Sequence, residues 1–71
     1  MMQMVPVHSS NLESVGYDSE NNLLYVRFRS GDCYVYHGVP ERIYSGIINA
    51  TSPGKFLNEN VKDIYPFRRT I

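Results

Sequence analysis

The chain has little of what most small reactive or anchored proteins need. It holds one cysteine, no Trp, and seven Lys plus Arg balanced by seven Asp plus Glu. A lone Cys33 forms no intrachain disulfide. With His8 and His37 it also leaves a zinc site short, since no acid stands at a matching spacing. Zero net charge argues against a strong sequence-independent polyanion binder, which needs several uncompensated cations. No apolar run approaches the roughly 20 residues that span a bilayer. Met1 to Val5 is too short for the apolar region of a secretory leader and runs into Pro6. The sequon at Asn49-Ala50-Thr51 is therefore read as chance, and the chain is expected in the cytoplasm with no membrane partner.

Chemistry is equally scarce. Ser52-Pro53-Gly54-Lys55 lacks the glycine framework of a phosphate-binding loop. Cys33 and His37, four apart on a strand, lie about 13 Å from each other, too far for a nucleophile and its base. No pair of carboxylates can be placed at a common cleft. The expectation is a protein that is not an enzyme, with no catalytic residues, no cofactor and no metal.

What is present is apolar area in rings: six Tyr and three Phe in 71 residues. That length makes one domain, residues 1–71, burying about 60% of the surface its unfolded chain exposes. Residues 1–6 read as a flexible leader and 66–71 as an extended tail, because Pro66 disfavours helix at Tyr65. Charge is uneven along the chain: residues 1–26 carry −3 and residues 27–71 carry +3, ending in Arg68-Arg69.

Three strands are expected. Glu13 to Asp18 puts Val15 and Tyr17 on one face, after a Ser9-Ser10-Asn11 turn whose short polar side chains bond neighbouring backbone. Leu23 to Arg29 alternates cleanly, with Leu24, Val26 and Phe28 on one side and Tyr25, Arg27 and Arg29 on the other. Cys33 to His37 is the third. Its Tyr34 and Tyr36 share a face, and the turn before it decides which one. A two-residue turn would put Val35 with the Leu24, Val26, Phe28 face. A three-residue Ser30-Gly31-Asp32 loop, with Gly31 left-handed, sets Phe28 opposite Tyr34 and Val26 opposite Tyr36. The second is favoured, because only Gly31 then needs positive φ. It assigns Tyr34 and Tyr36 to the core rather than to a stacking platform.

Pro40 to Ala50 has a helical stripe of Ile43, Tyr44, Ile47 and Ile48, and Gly46 within it marks close packing. Ser52 and Pro53 open a shorter helix through Asn60 that carries Phe56 and Leu57. The expected class is α+β: a three-stranded antiparallel meander followed by one longer and one short helix packed on one face. Its core holds Leu24, Val26, Phe28, Tyr34, Tyr36, Ile43, Ile47 and Phe56.

The order of these features resembles the KTSC domain family, named for the lysyl-tRNA synthetase C-terminus and found in short bacterial and phage proteins. The residues that carry the resemblance are Ser9-Ser10-Asn11, Val15-Gly16-Tyr17-Asp18, Ser30-Gly31, Tyr34-Val35-Tyr36 and Val39-Pro40. After these come Ser52-x-Gly54-x-Phe56, Asn58, Val61-Lys62 and Tyr65-Pro66-x-Arg68, so the match spans residues 7–69. The resemblance implies an RNA-binding accessory role and brings no catalytic residues.

Two functional classes follow. The first is a small non-catalytic RNA-binding module, for tRNA or single strands. Lys55, Lys62, Arg68 and Arg69 would form a phosphate-facing ridge, with Tyr65, or Tyr25 beside Arg27 on the open sheet face, stacking bases. Four such contacts would give a log-log salt slope of about −3. The second is a protein-interaction or self-associating module, motivated by an unpaired strand edge and zero net charge.

Overall fold

The turn between the Leu23–Phe28 and Cys33–His37 strands sets the architecture. Phe28 N–H donates to Asp32 O at 2.8 Å and Gly31 N–H to Phe28 O at 3.0 Å, with Gly31 at φ +101°. This is a type I turn closed by a left-handed glycine, but the loop is Arg29-Ser30-Gly31 rather than Ser30-Gly31-Asp32. Pairing therefore shifts by two residues: Val26 faces Tyr34, and Leu24 faces Tyr36. A shift of two preserves the pleat, so Tyr34 and Tyr36 still share a face with Leu24 and Val26.

In the computed structural model the described residues are 3–70. The elements are β1 (Val5–Pro6), β2 (Leu12–Asp18), β3 (Leu23–Phe28), β4 (Cys33–His37), α1 (Glu41–Asn49), α2 (Pro53–Asn60) and β5 (Phe67–Thr70). The strands form one antiparallel sheet in chain order, five strands wide rather than three. The expected leader and tail each supply an edge. Val5 and Pro6 pair with Val15 and Ser14, and Phe67 through Thr70 pair with Tyr36 through Cys33. Both edges were hard to read because they are short and abut prolines, and Pro6 brings no N–H to its ladder. The calls on Met1, Met2 and Ile71 lie outside the described residues.

One sheet face receives the helices. Leu12, Val15, Leu24, Val26 and Tyr36 form a buried cluster with Val39, Ile47, Leu57 and Val61. Phe28, Tyr34, Ile43 and Phe56 are partly buried and pack against it. Pro40 is the N-cap of α1, at ψ 152°, rather than its first helical residue. Pro53 does lead α2, although the Ser52 side chain makes no capping bond. The helices meet at Gly46, where a Cβ would fall inside contact distance of Phe56 Cζ and 2.8 Å from its Cε1.

Tyr17 closes the other end of the core. Its hydroxyl donates to Val39 O at 2.6 Å and its ring stacks on Tyr44 at 5.5 Å. Burial first, then the carboxylates of Glu41 and Asp18, raises its pKa above the ordinary phenol value of 10.0.

Two outcomes are expected. Gly46→Ala gains about 1 kcal/mol of helix propensity but forces the Phe56 ring out of place, an overpacking cost of about 1–3 kcal/mol. The net result should be a lower thermal midpoint; a raised one would show the ring free to swing aside. Raising pH should also weaken the fold. The native state keeps the Tyr17 proton to higher pH than the unfolded chain, so this stability is complete below pH 10 and lost as pH climbs above it. Urea midpoints at pH 8 and pH 11 should differ less in Tyr17→Phe than in the wild type.

Candidate functional site: an aromatic cleft between the second helix and the β3–β4 hairpin

Strand parity disperses the basic residues of the sequence. Arg68 and Arg69 are adjacent on β5 and therefore point to opposite faces. Arg68 stands across Val35 from Tyr25, on the face away from the helices, with Arg27 in the next row opposite Cys33. Arg69 stands on the helix side opposite Tyr34 and is tied to Asp32, nitrogen to oxygen 3.0 Å. Lys55 borders a shallow depression with Phe56 and Glu59, and Lys62 lines a different cavity. Tyr65 docks against the core. The single ridge expected from Lys55, Lys62, Arg68 and Arg69 is thus not assembled. Tyr25, Arg27 and Arg68 do share a surface, but Arg29 leaves it: it lies in the turn, and its Nε donates to Ser9 O at 2.8 Å. Cys33 and His37 sit at opposite ends of β4, and no three His, Cys, Asp or Glu side chains gather to hold a metal among the described residues.

A concavity lies on the helix side. It has a volume of about 370 Å3 and a floor of Phe28, Tyr34 and Tyr36. Leu57, Asn58 and Lys62 form one wall, while Asn11, Ser30 and Asp32 form the rim. Local structure accounts for each placement. Ser9 Oγ accepts the N–H groups of Asn11 and Leu12 at 3.2 and 3.1 Å, which folds the loop before β2 into a tight turn. That turn rests against the start of α2, where a Cβ on Gly54 would lie 3.2 Å from Ser9 Oγ. Lys62 is fixed as α2 ends, its N–H donating to Leu57 O at 3.0 Å before Asp63 reverses the chain at φ 66°.

The rings make a continuous row across three strands. Phe28 meets Tyr34 edge-on at 5.2 Å, and Phe67 stacks on Tyr34 at 4.9 Å with an interplanar angle of 3°. Phe67 also leans on Tyr36 at 5.6 Å and yet remains 54% exposed. The row thus begins inside the cleft and ends at the open lip of the sheet, beside Arg69. Asp32 holds that lip together, receiving Arg69 on Oδ1 and, more loosely, the Ser30 hydroxyl on Oδ2 at 3.4 Å.

Tyr36 differs from its neighbours. It is only 3% exposed, and its hydroxyl has no hydrogen-bond partner among the described residues. No sealed side-chain oxygen or nitrogen lacks a partner among the described residues, so this phenol oxygen is not shut off from solvent. Burial first, then Tyr34 and Asp63, pushes its pKa up, so it stays a protonated donor.

Sequence reasoning placed Tyr34 and Tyr36 in the core and stopped there. It overlooked that a core face wider than its helices leaves rings both packed and accessible. Asn11, Ser30, Tyr34, Tyr36, Asn58 and Lys62 come from five separate motifs of the sequence and converge on this one cavity. The period-two series Tyr65, Phe67, Arg69 is compatible with a strand but too short to mark one by itself.

Comparison with known proteins identifies the family. The KTSC domain family model matches residues 8–65. A protein of Tsukamurella paurometabola is 41% identical over 59 residues, covering 83% of this chain and 88% of the relative. An uncharacterized protein of Stutzerimonas stutzeri is 39% identical over 61 residues, covering 86% of each. The crystal structure of the KTSC domain protein YPO2434 from Yersinia pestis superposes with a TM-score of 0.96 at 38% identity, over the whole of both chains. With its sequence matched over that span and its fold matched throughout, the chain belongs to the KTSC domain family.

Proposed function

We propose that the protein is a small non-catalytic module that binds single-stranded RNA along the aromatic lip of its sheet. The observation that carries this reading is the Phe67 ring, held parallel on Tyr34 at 4.9 Å and still 54% exposed. A ring already fixed by its neighbours offers a stacking face without losing further side-chain entropy, and base stacking on such rings contributes about 1–3 kcal/mol per base. Arg69, exposed and aimed by Asp32, lies two residues along the same face, in reach of a phosphate next to the stacked base. The zero net charge then has a place: affinity comes from stacking, with two cations, Arg69 and Lys62, beside the row rather than a broad basic field.

A second reading rests on the edge that β5 exposes. Phe67 and Ile64, 59% exposed, would be covered by a second copy of this chain that adds a strand there. Arg68 and Arg69 work against this, since charged side chains blunt an edge.

Titrating a labelled single-stranded RNA by fluorescence anisotropy tests the first reading. Phe67→Ala should weaken binding about 5- to 100-fold, and Arg69→Ala should lower the salt slope by about 0.7 from about −1.4. Arg27→Ala, on the opposite face, should leave both unchanged. Equal affinity of wild type and Phe67→Ala would discard the proposal. Sedimentation at two concentrations addresses the second reading, which requires a mass that rises with concentration and returns to the monomer value in Phe67→Asp.

A further inference from the structure

We propose that the sheet face turned away from the helices docks an extended acidic segment of a partner protein, one that presents carboxylate, apolar and carboxylate side chains at alternate positions. The proposal goes beyond the RNA reading, since it uses the face opposite the lip. An antiparallel sheet with one open face ordinarily turns polar side chains to water. Here the middle of that face is Tyr25, Val35 and Cys33, neighbours on β3 and β4. Val35 is only 4% exposed, although both helices pack on the other side. Its cross-strand neighbours are Tyr25 and Arg68, and Gly16, beyond Tyr25, adds no side chain to that row. The ring and the aliphatic stem of the arginine are thus what shields it. Tyr and Arg around an apolar centre is the composition of an interface core.

Charge decides the kind of partner. Arg27 lies one row beyond Tyr25, opposite Cys33, and Arg68 lies opposite Val35. Neither makes an ion pair among the described residues, whereas Arg69 on the other face is tied to Asp32. The carboxylate of Asp18, at the far end of the open face, is taken up by the Asn21 amide and the N–H of Glu20. Glu13 borders the depression that holds His8 and Arg29. Two uncompensated guanidinium groups flanking an apolar centre are complementary to two carboxylates with an apolar group between them. Spacing decides the partner's shape. Arg27 and Arg68 stand two strands apart and two residues out of register. With strands about 4.8 Å apart and a rise of about 3.4 Å per residue, their Cα atoms are separated by roughly 12 Å. An extended chain covers that distance in about four residues and turns positions i, i+2 and i+4 to the same side. Carboxylates at i and i+4 then meet the two arginines, and the side chain at i+2 falls over the apolar centre.

The test is fluorescence anisotropy of the full chain with two labelled peptides of one composition. The first carries Glu-Ser-Phe-Ser-Glu and the second Glu-Glu-Phe-Ser-Ser. The first should bind several-fold more tightly, and added salt should weaken it. Arg27 is exposed, so Arg27→Glu leaves the core untouched; it should weaken the first peptide about 2- to 10-fold. Replacing one Glu of that peptide by Lys should restore part of the loss. Tyr25→Ala should cost about 10-fold or more. The proposal is refuted if neither peptide binds, if both bind alike, or if Arg27→Glu changes nothing. Single-stranded RNA whose binding falls in Arg27→Glu would give this face to nucleic acid and overturn it as well. The result is separable from that of the RNA reading, because Phe67→Ala should leave the affinity of the first peptide at its wild-type value.

Discussion

Gly31, at φ +101°, lets the chain reverse over Arg29-Ser30-Gly31 and return with Tyr34 beside Val26. Everything on the helix side follows from that parity. Had the strand returned one residue out of step, Val35 would lie under the helices and both tyrosines would face the far side. The loop closes over Arg29-Ser30-Gly31, so the sheet settles two residues from the register favoured on local grounds. Parity is nevertheless the property on which the core depends, because a hydrophobic face tolerates displacement along a strand in steps of two but not of one.

The cleft arises from a mismatch between two layers. Helices α1 and α2 are drawn together by the absence of a side chain at Gly46, which lets the Phe56 ring close the gap between them. The pair is narrow, and the sheet beneath is five strands wide. The uncovered part falls at the β4–β5 end, where the residues that would otherwise need burial are rings that stack on one another. Phe28, Tyr34 and Phe67 thus stabilise the sheet through mutual contact while keeping surface available.

Much of this was legible from residue order. The alternation of Leu23 to Phe28, the helical stripe of Ile43 and Ile47, and the Ser52-Pro53 start of the second helix each state their structure locally, because side-chain period and the fixed φ of a leading proline are local physics. The edges were not legible, since a strand as short as Val5–Pro6 or Phe67–Thr70 forms only when a neighbour presents unpaired backbone groups. The site suffered from the same blindness. Consecutive cations such as Arg68 and Arg69 look like a patch until a strand separates them, and Asn11, Ser30 and Lys62 meet only in three dimensions.

The place of β5 in the chain has a further consequence. The first four strands are laid down as neighbours, each next to its predecessor, whereas β5 reaches β4 only after both helices have intervened. Closing that long excursion costs more loop entropy than any earlier strand pairing. Since Phe67 and Arg69 ride on it, the half of the lip they form exists only where the chain, having passed through both helices, comes back to pair with β4.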